Sequence, residues 1–314
     1  MLLFADSKRL YTVKPQLIDP QCTQYMAKPK LILTALIAVL FMSAVPVLIK
    51  STSANEVTIG IARLAIAVLV FSPIALWRGQ WLTLSARQWL QLLLIGLVFA
   101  GHWLTYFISI KLATPAIAAL AITTYGVQYL ILAYIFNGER VSPMEWLAIA
   151  CCFAGCVIVS PELTFGNDTT KGIAIGLFSA LLYAALPLLH QRAASISTLE
   201  RTWGQFFFAL LFFLPLWNQS DWQLDPSDFY QLAALGILCT VIAHGLWVKA
   251  STELPAIYTS MIYYLYLPLA LTSSVLILDE ALTARKIIGV ALVVGVSIAL
   301  SVYRYRRSTQ VGSA

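Results

Sequence analysis

Four clusters in otherwise apolar stretches carry side chains able to do chemistry: His102, Trp103 and Tyr106; Tyr125 and Gln128; His244 and Trp247; and Tyr263, Tyr264 and Tyr266. His102 and Tyr106 stand at i, i+4; His244 and Trp247, like Tyr263 and Tyr266, stand at i, i+3. Each pair therefore shares a helix face. Three tyrosines within four positions cannot share one face, so Tyr263 and Tyr266 are expected to point together. The chemistry these residues offer is recognition. Aromatic walls pack an apolar body, while hydroxyl and amide tips hydrogen-bond an ammonium or a carboxylate. A histidine binds either or titrates, and for His102 and His244 an interhelical hydrogen bond stands equally open. These nine residues, with Tyr264 set aside, are the candidate substrate contacts.

Bond-breaking machinery is missing. There is no His-Glu-x-x-His or Gly-x-Ser-x-Gly, and neither histidine has a carboxylate near it in sequence. Without a Gly-x-x-x-x-Gly-Lys-Ser/Thr loop, ATP is not the direct energy source, and no enzyme activity is expected. Cys151, Cys152, Cys156 and Cys239 lie in apolar runs and Cys22 in the N-terminal tail, with no Cys-x-x-Cys pair. They read as packing thiols, and neither a metal site nor a cofactor is expected.

The charged residues are informative by position. All 14 carboxylates lie in tails, loops or segment ends, whereas a proton-coupled carrier usually keeps one within the membrane. That disfavours export of hydrophobic cations. Arg63 is the exception among the bases, near the outer end of the second apolar run. It is open to snorkelling, to an interhelical role or, third, to substrate contact. Glu139 and Glu280 occupy equivalent turns and are expected to cap them or pair locally with Arg140 and Arg285, or else to gate. Pro46, Pro187 and Pro268 interrupt the backbone ladder of their segments and are candidate hinges or plain kinks. Gln205 stands where the second half of the chain departs from Arg63.

The elements that must position these residues follow from composition. Hydrophobic residues make up 60% of the 314 and charged ones 11%, with a mean hydropathy of +0.82. A soluble domain runs nearer half apolar and a quarter charged. Lipid is the expected solvent. Ten apolar segments, at 31–49, 57–77, 89–110, 114–136, 144–160, 172–190, 202–217, 229–249, 255–277 and 286–303, read as transmembrane helices, the fifth and seventh being short. The net charge of +6 marks cytoplasmic loops rather than nucleic-acid binding.

The segments form a duplication. Residues 115–155 and 255–295 share a Pro-Ala-Ile start, an apolar run, an acidic turn and a second run with glycines. Pro46 and Pro187 lie 141 apart, Arg63 and Gln205 142, Gln91 and Gln231 140, Gly96 and Gly236 140, and Glu139 and Glu280 141. A register drifting by so little over five segments is not chance. Five helices per repeat is an odd number, so the second repeat enters from the opposite side. Inverted repeats place a binding site at their interface near the midplane.

The fold class expected is thus an all-α integral membrane protein of ten transmembrane helices in two inverted repeats. Residues 1–29 form a polar tail, 30–161 the first repeat, 170–304 the second and 305–314 a cytoplasmic tail. Met26 reads as a natural start, setting residues 1–25 apart, and the final Val-Gly-Ser-Ala reads as an appended end. With the N-terminus inside, Lys and Arg number 14 in inside segments and 5 in outside loops. Both termini are then cytoplasmic, the Glu139 turn inside and the Glu280 turn outside.

Ten helices in two five-helix halves, Arg63 early in the second, Pro115 and Pro255 opening the fourth and ninth, and the turns Gly-Glu-Arg-Val-Ser and Asp-Glu-Ala-Leu-Thr resemble the EamA-type family of the drug/metabolite transporter superfamily. The likeness spans nearly all of residues 30–303. It implies a cavity lined by the third, fourth, eighth and ninth helices, a bacterial inner (plasma) membrane, a small-molecule substrate, and a monomer or homodimer. The function implied is a secondary transporter exporting a small metabolite, foremost an amino acid. The alternatives are uptake of a nucleotide-like or S-adenosylmethionine-like metabolite and, more remotely, a membrane enzyme or channel.

Overall fold

The computed structural model describes residues 29–78, 83–137, 142–159, 166–254 and 262–311, and among these the chain is helical, with no strand. In order, α1 runs Pro29–Ser51, α2 Glu56–Arg78 and α3 Ala86–Leu112. The two parts of α4 are Pro115–Thr123 and Tyr125–Asn137; α5 is Pro143–Val159, α6 Asp168–Arg192 and α7 Thr198–Phe213. α8 comprises Pro226–Gly236, a π-helical turn Ile237–Ile242 and Ala243–Glu253. α9 is Tyr266–Leu278 and α10 Ala284–Val311, the latter staying helical beyond the apolar segment expected to end at residue 303.

Each of the ten apolar segments is helical where described. α1, α2, α3, α6 and α8 are long and apolar enough to cross a membrane. Pro255, Glu139 and Arg140 lie outside the described residues.

Local sequence sets the boundaries. Ser85 and Gln88 close a capping box at the start of α3, as Ser197 and Glu200 do for α7. Thr114 caps α4 ahead of Pro115, whose missing N–H costs nothing at a helix start. α9 ends on Asp279 in the left-handed region, φ 52°, a conformation that Asp tolerates better than most residues.

Packing couples the two halves. α3 lies along α6 through small residues: a Cβ on Gly172 would meet Ala113 Cβ at 2.7 Å, and one on Gly176 would meet Ser109 Oγ at 2.7 Å. Such close approach is how helices associate when lipid removes the hydrophobic drive. α5 meets α10 where a Cβ on Gly155 would lie 3.1 Å from the Gly289 carbonyl oxygen. Exchanging the halves, α1 for α6 and so on, turns the α3–α6 contact into α8–α1 and α3–α7 into α8–α2. The same exchange leaves α2–α7, α4–α9 and α5–α10 in place. The exterior is apolar, with Leu69 73%, Leu276 76% and Trp77 86% exposed, as a lipid-facing surface requires.

Candidate functional site

The interruptions of these helices converge. α1 breaks at Ala44, α4 at Thr124, and the chain turns at Tyr264 and Leu265 before α9, at the point equivalent to Thr124. In α8 the π turn carries Thr240, which meets Arg63 of the cavity wall. Pro46 and Pro187 lack the N–H that would reach the carbonyls of Met42 and Tyr183, four residues earlier. Both residues line the central cavity. Pro187 leaves α6 helical throughout. Pro268, exposed in the first turn of α9, likewise lacks the N–H that would reach the carbonyl of Tyr264, four residues earlier, where the helix is broken.

The cavity holds about 30 Å³ of water-accessible space, room for one or two waters. Its walls include His102, Trp103, Tyr106, His244, Tyr263 and Tyr266, together with Arg63, Phe107, Tyr183, Met42, Val45 and Ile122. Six of the nine expected contacts thus meet there. Tyr125 stands one ring behind, 5.0 Å from Tyr183 and 4.6 Å from Tyr263 between centroids. Trp247 backs Tyr263 at 5.2 Å. Gln128 is turned elsewhere, its amide donating to Thr124 Oγ1 at 2.9 Å and to the Leu177 carbonyl at 3.2 Å. Gln128 therefore bridges α4 to α6. α1, α2 and α6 add walls to the four helices expected.

The aromatic groups are held in place by one another. His102 lies between Tyr183, 4.6 Å and 19° away, and Tyr106, 6.0 Å and 12° away. Its Nδ1 sits 2.8 Å from Ser179 Oγ and 3.1 Å from the Ser179 carbonyl, while Ser179 Oγ donates to the His102 carbonyl at 2.8 Å. A carbonyl can only accept, which assigns the proton of a neutral ring to Nδ1 and leaves Nε2 an acceptor. The Tyr106 and Tyr266 hydroxyls hydrogen-bond each other across α3 and α9. His244 packs edge-on to Phe99 at 5.6 Å. Tyr263 stacks on Tyr266, 5.4 Å and 6°, whereas the Tyr264 hydroxyl approaches Gly126.

Of the roles open to Arg63, snorkelling is not the one it adopts. It is 1% exposed, its guanidinium 4.1 Å from the centroid of Trp103 and 5.3 Å from that of Phe107. Nε donates to Thr240 Oγ1 at 3.0 Å, and that hydroxyl donates to the Leu235 carbonyl at 2.8 Å. Nη1 has no hydrogen-bonding partner. Seven residues into α2, the side chain faces the bundle interior, toward α3 and α8. Its equivalent Gln205 is buried away from the cavity, 2.9 Å from His190 Nε2. Hydropathy alone could not flag this, because it records depth and not facing. The duplication did mark the position, as the place where the halves differ.

Polar ties close the ends. At one, Lys50 Nζ donates to the carbonyls of Lys111 at 2.8 Å and Ala113 at 3.0 Å, and Lys111 Nζ to that of Thr52 at 2.6 Å. Asp228 accepts from Thr52 Oγ1 at 2.7 Å and from the Ser53 amide at 2.9 Å. α1, α3 and α8 are thereby joined. Glu280, next to this end, is paired with Lys286 at 2.7 Å rather than with Arg285, and accepts from Ser274 as well. The left-handed turn at Asp279 folds Glu280 back over the start of α10, where Lys286 and not its neighbour faces it. Burial alone would raise the Glu280 carboxyl, but hydrogen bonds from Lys286, Ser274 and Thr114 outweigh it and hold the group below the ordinary range. At the other end Arg201 donates to the His190 carbonyl at 2.9 Å and Gln91 to that of Arg192 at 2.9 Å. Among the described residues no His, Cys, Asp and Glu gather as a metal site would need.

Comparison with known proteins places this arrangement. The pattern of the EamA-like transporter family matches twice, at residues 29–160 and 170–302. An Archaeoglobus fulgidus protein called "uncharacterized transporter" is 26% identical over 215 residues, 63% of this chain and 72% of its own. A "probable amino-acid metabolite efflux pump" of Escherichia coli (strain K12) is 22% identical over 257 residues, 77% of this chain and 81% of its own. A crystal structure 19% identical in sequence superposes with a TM-score of 0.66, covering 88% of this chain and 98% of that one, a likeness of fold.

Proposed function

The chain belongs to the EamA-like transporter family, and we propose that it is a secondary carrier moving a small metabolite, foremost an amino acid, out of a bacterial cell across the inner membrane. The observation that carries the reading is the aromatic cavity at the meeting point of broken helices from both halves. Irregular backbone at membrane depth is tolerated where it lines a site. Ten spans in two inverted repeats, with both termini cytoplasmic, fit the Lys/Arg distribution and the exchange symmetry of the helix contacts.

With room for only a water or two, the described arrangement is a closed one. A metabolite enters when the halves rock apart at one end, the aromatic walls spread around it, and the polar ties at that end break. Rocking the other way opens the opposite end. The Escherichia coli relative bears the name "probable amino-acid metabolite efflux pump". Direction is set by the gradients, so the same device runs uptake where they reverse.

Counterflow tests this. Full-length protein in proteoliposomes preloaded with unlabelled amino acids should accumulate a labelled one from outside without an imposed pH gradient. Absence of accumulation, both with and without a pH gradient, would sink the amino-acid reading.

A further inference from the structure

We propose that Arg63 is the anchor for the substrate's carboxylate, so that the cavity takes a carboxylic acid with an aromatic or aliphatic body and does not take the corresponding amine. The inference deepens the carrier reading and rests on it.

A guanidinium stays charged at any depth. Arg63 is 1% exposed, yet among the described residues no carboxylate forms an ion pair with it. Removing such a charge from water is strongly unfavourable unless something compensates. What compensates here is partial. Thr240 takes Nε, with its own hydroxyl proton committed to Leu235, and the face of Trp103 lies under the charge. Nη1 remains unmatched. The guanidinium therefore sits in the cavity wall, held from behind and from below, with donor capacity to spare. The described groups sharing that wall are neutral polar, aromatic or aliphatic. A ligand carboxylate accepts two parallel N–H bonds from such a fork and supplies the missing charge. A ligand ammonium would meet a like charge in a site without a countercharge. Its apolar body would lie against Tyr106, Tyr263 and Tyr266, whose rings accept either an aromatic or an aliphatic group.

The test is ligand-induced thermal stabilisation of the full-length protein in detergent, with three probes sharing one body: L-phenylalanine, 3-phenylpropionate and phenethylamine. Both carboxylates should raise the midpoint in a saturable way, and phenethylamine should need at least about tenfold more. R63K keeps the charge but not the fork, and should weaken both carboxylates about tenfold or more. R63Q should abolish their effect if it folds. Stabilisation by phenethylamine equal to that by 3-phenylpropionate would overturn the proposal, as would an unchanged carboxylate response in R63K, or no response to either acid. So would displacement by sodium chloride at the concentration of the acids, since that marks a halide site. Counterflow on the same preparation keeps the two readings apart: exchange of other solutes with both acids ignored removes this inference and leaves a carrier standing.

Discussion

At the scale of single residues, the sequence spoke clearly about type and less clearly about facing. Helical spacing paired Tyr263 with Tyr266 and set Tyr264 apart, and that division appears in the cavity wall, which holds the first two and not the third. It offered Gln128 and Trp247 on equal terms with His102, although one ties two helices together and the other backs the wall. Only tertiary packing separates these cases. His102 owes its orientation to Ser179 on α6. Ser179→Ala should cost about 1 kcal/mol of stability and weaken substrate binding by loosening the ring between Tyr106 and Tyr183; thermal unfolding and a binding titration would read the two effects. The Glu280–Lys286 pair carries a pH signature. Its carboxyl titrates lower in the folded protein than in the unfolded one. The stabilisation is therefore complete above the ordinary carboxylate range and is lost as pH falls through the lowered value. Glu280→Gln should be less stable than wild type at neutral pH, by about 1–3 kcal/mol, and the gap should close in acid. A constant gap across that window would contradict the pairing.

At the scale of elements, the apolar runs anticipated the helices of the described residues, and the duplication paired them. The breaks were harder to place. Proline was the available signal, and it identified α1 correctly because Pro46 follows the break at Ala44. It missed α4, whose break at Thr124 contains no proline: there Thr124 Oγ1 donates back to the Ala121 carbonyl at 2.7 Å and replaces the regular ladder. Pro268 follows the break at Tyr264 and Leu265 in the same way, whereas Pro187 leaves α6 helical throughout. Helix pairing depends on glycine at defined points. Gly176→Val should push α6 off α3 and lower stability by about 1–3 kcal/mol, whereas Gly295→Ala, where a Cβ meets nothing within 4 Å, should be neutral or better. Comparative thermal unfolding in one detergent checks the pair. Equal effects would mean that the α3–α6 contact is not what the glycines serve.

At the scale of the whole molecule, composition and duplication specified a membrane protein of two related halves, and the helix contacts obey their exchange. What no pattern disclosed is how the ends are fastened. The tie through Asp228 joins α1 to α8 by contacts between residues more than a hundred positions apart, which periodicity cannot report. Asp228→Asn should loosen that end. Cys239, 1% exposed in α8, supplies a native reporter: its alkylation, followed by mass spectrometry of the peptide, should speed up several-fold in the variant and slow again with substrate. The π turn that carries Cys239 and Thr240 has a further consequence. α3 spans 27 residues, whereas α8, from its equivalent start, carries one more within that wide turn. The arginine it supports likewise lacks a twin in the other half. Identical inverted halves would make the inward-open and outward-open forms equal in energy. This local inequality removes that degeneracy, so the unloaded carrier has a preferred resting side. Half-saturating concentrations measured from the two faces then differ, while the ratio of maximal rate to half-saturation stays the same in both directions, as passive exchange demands.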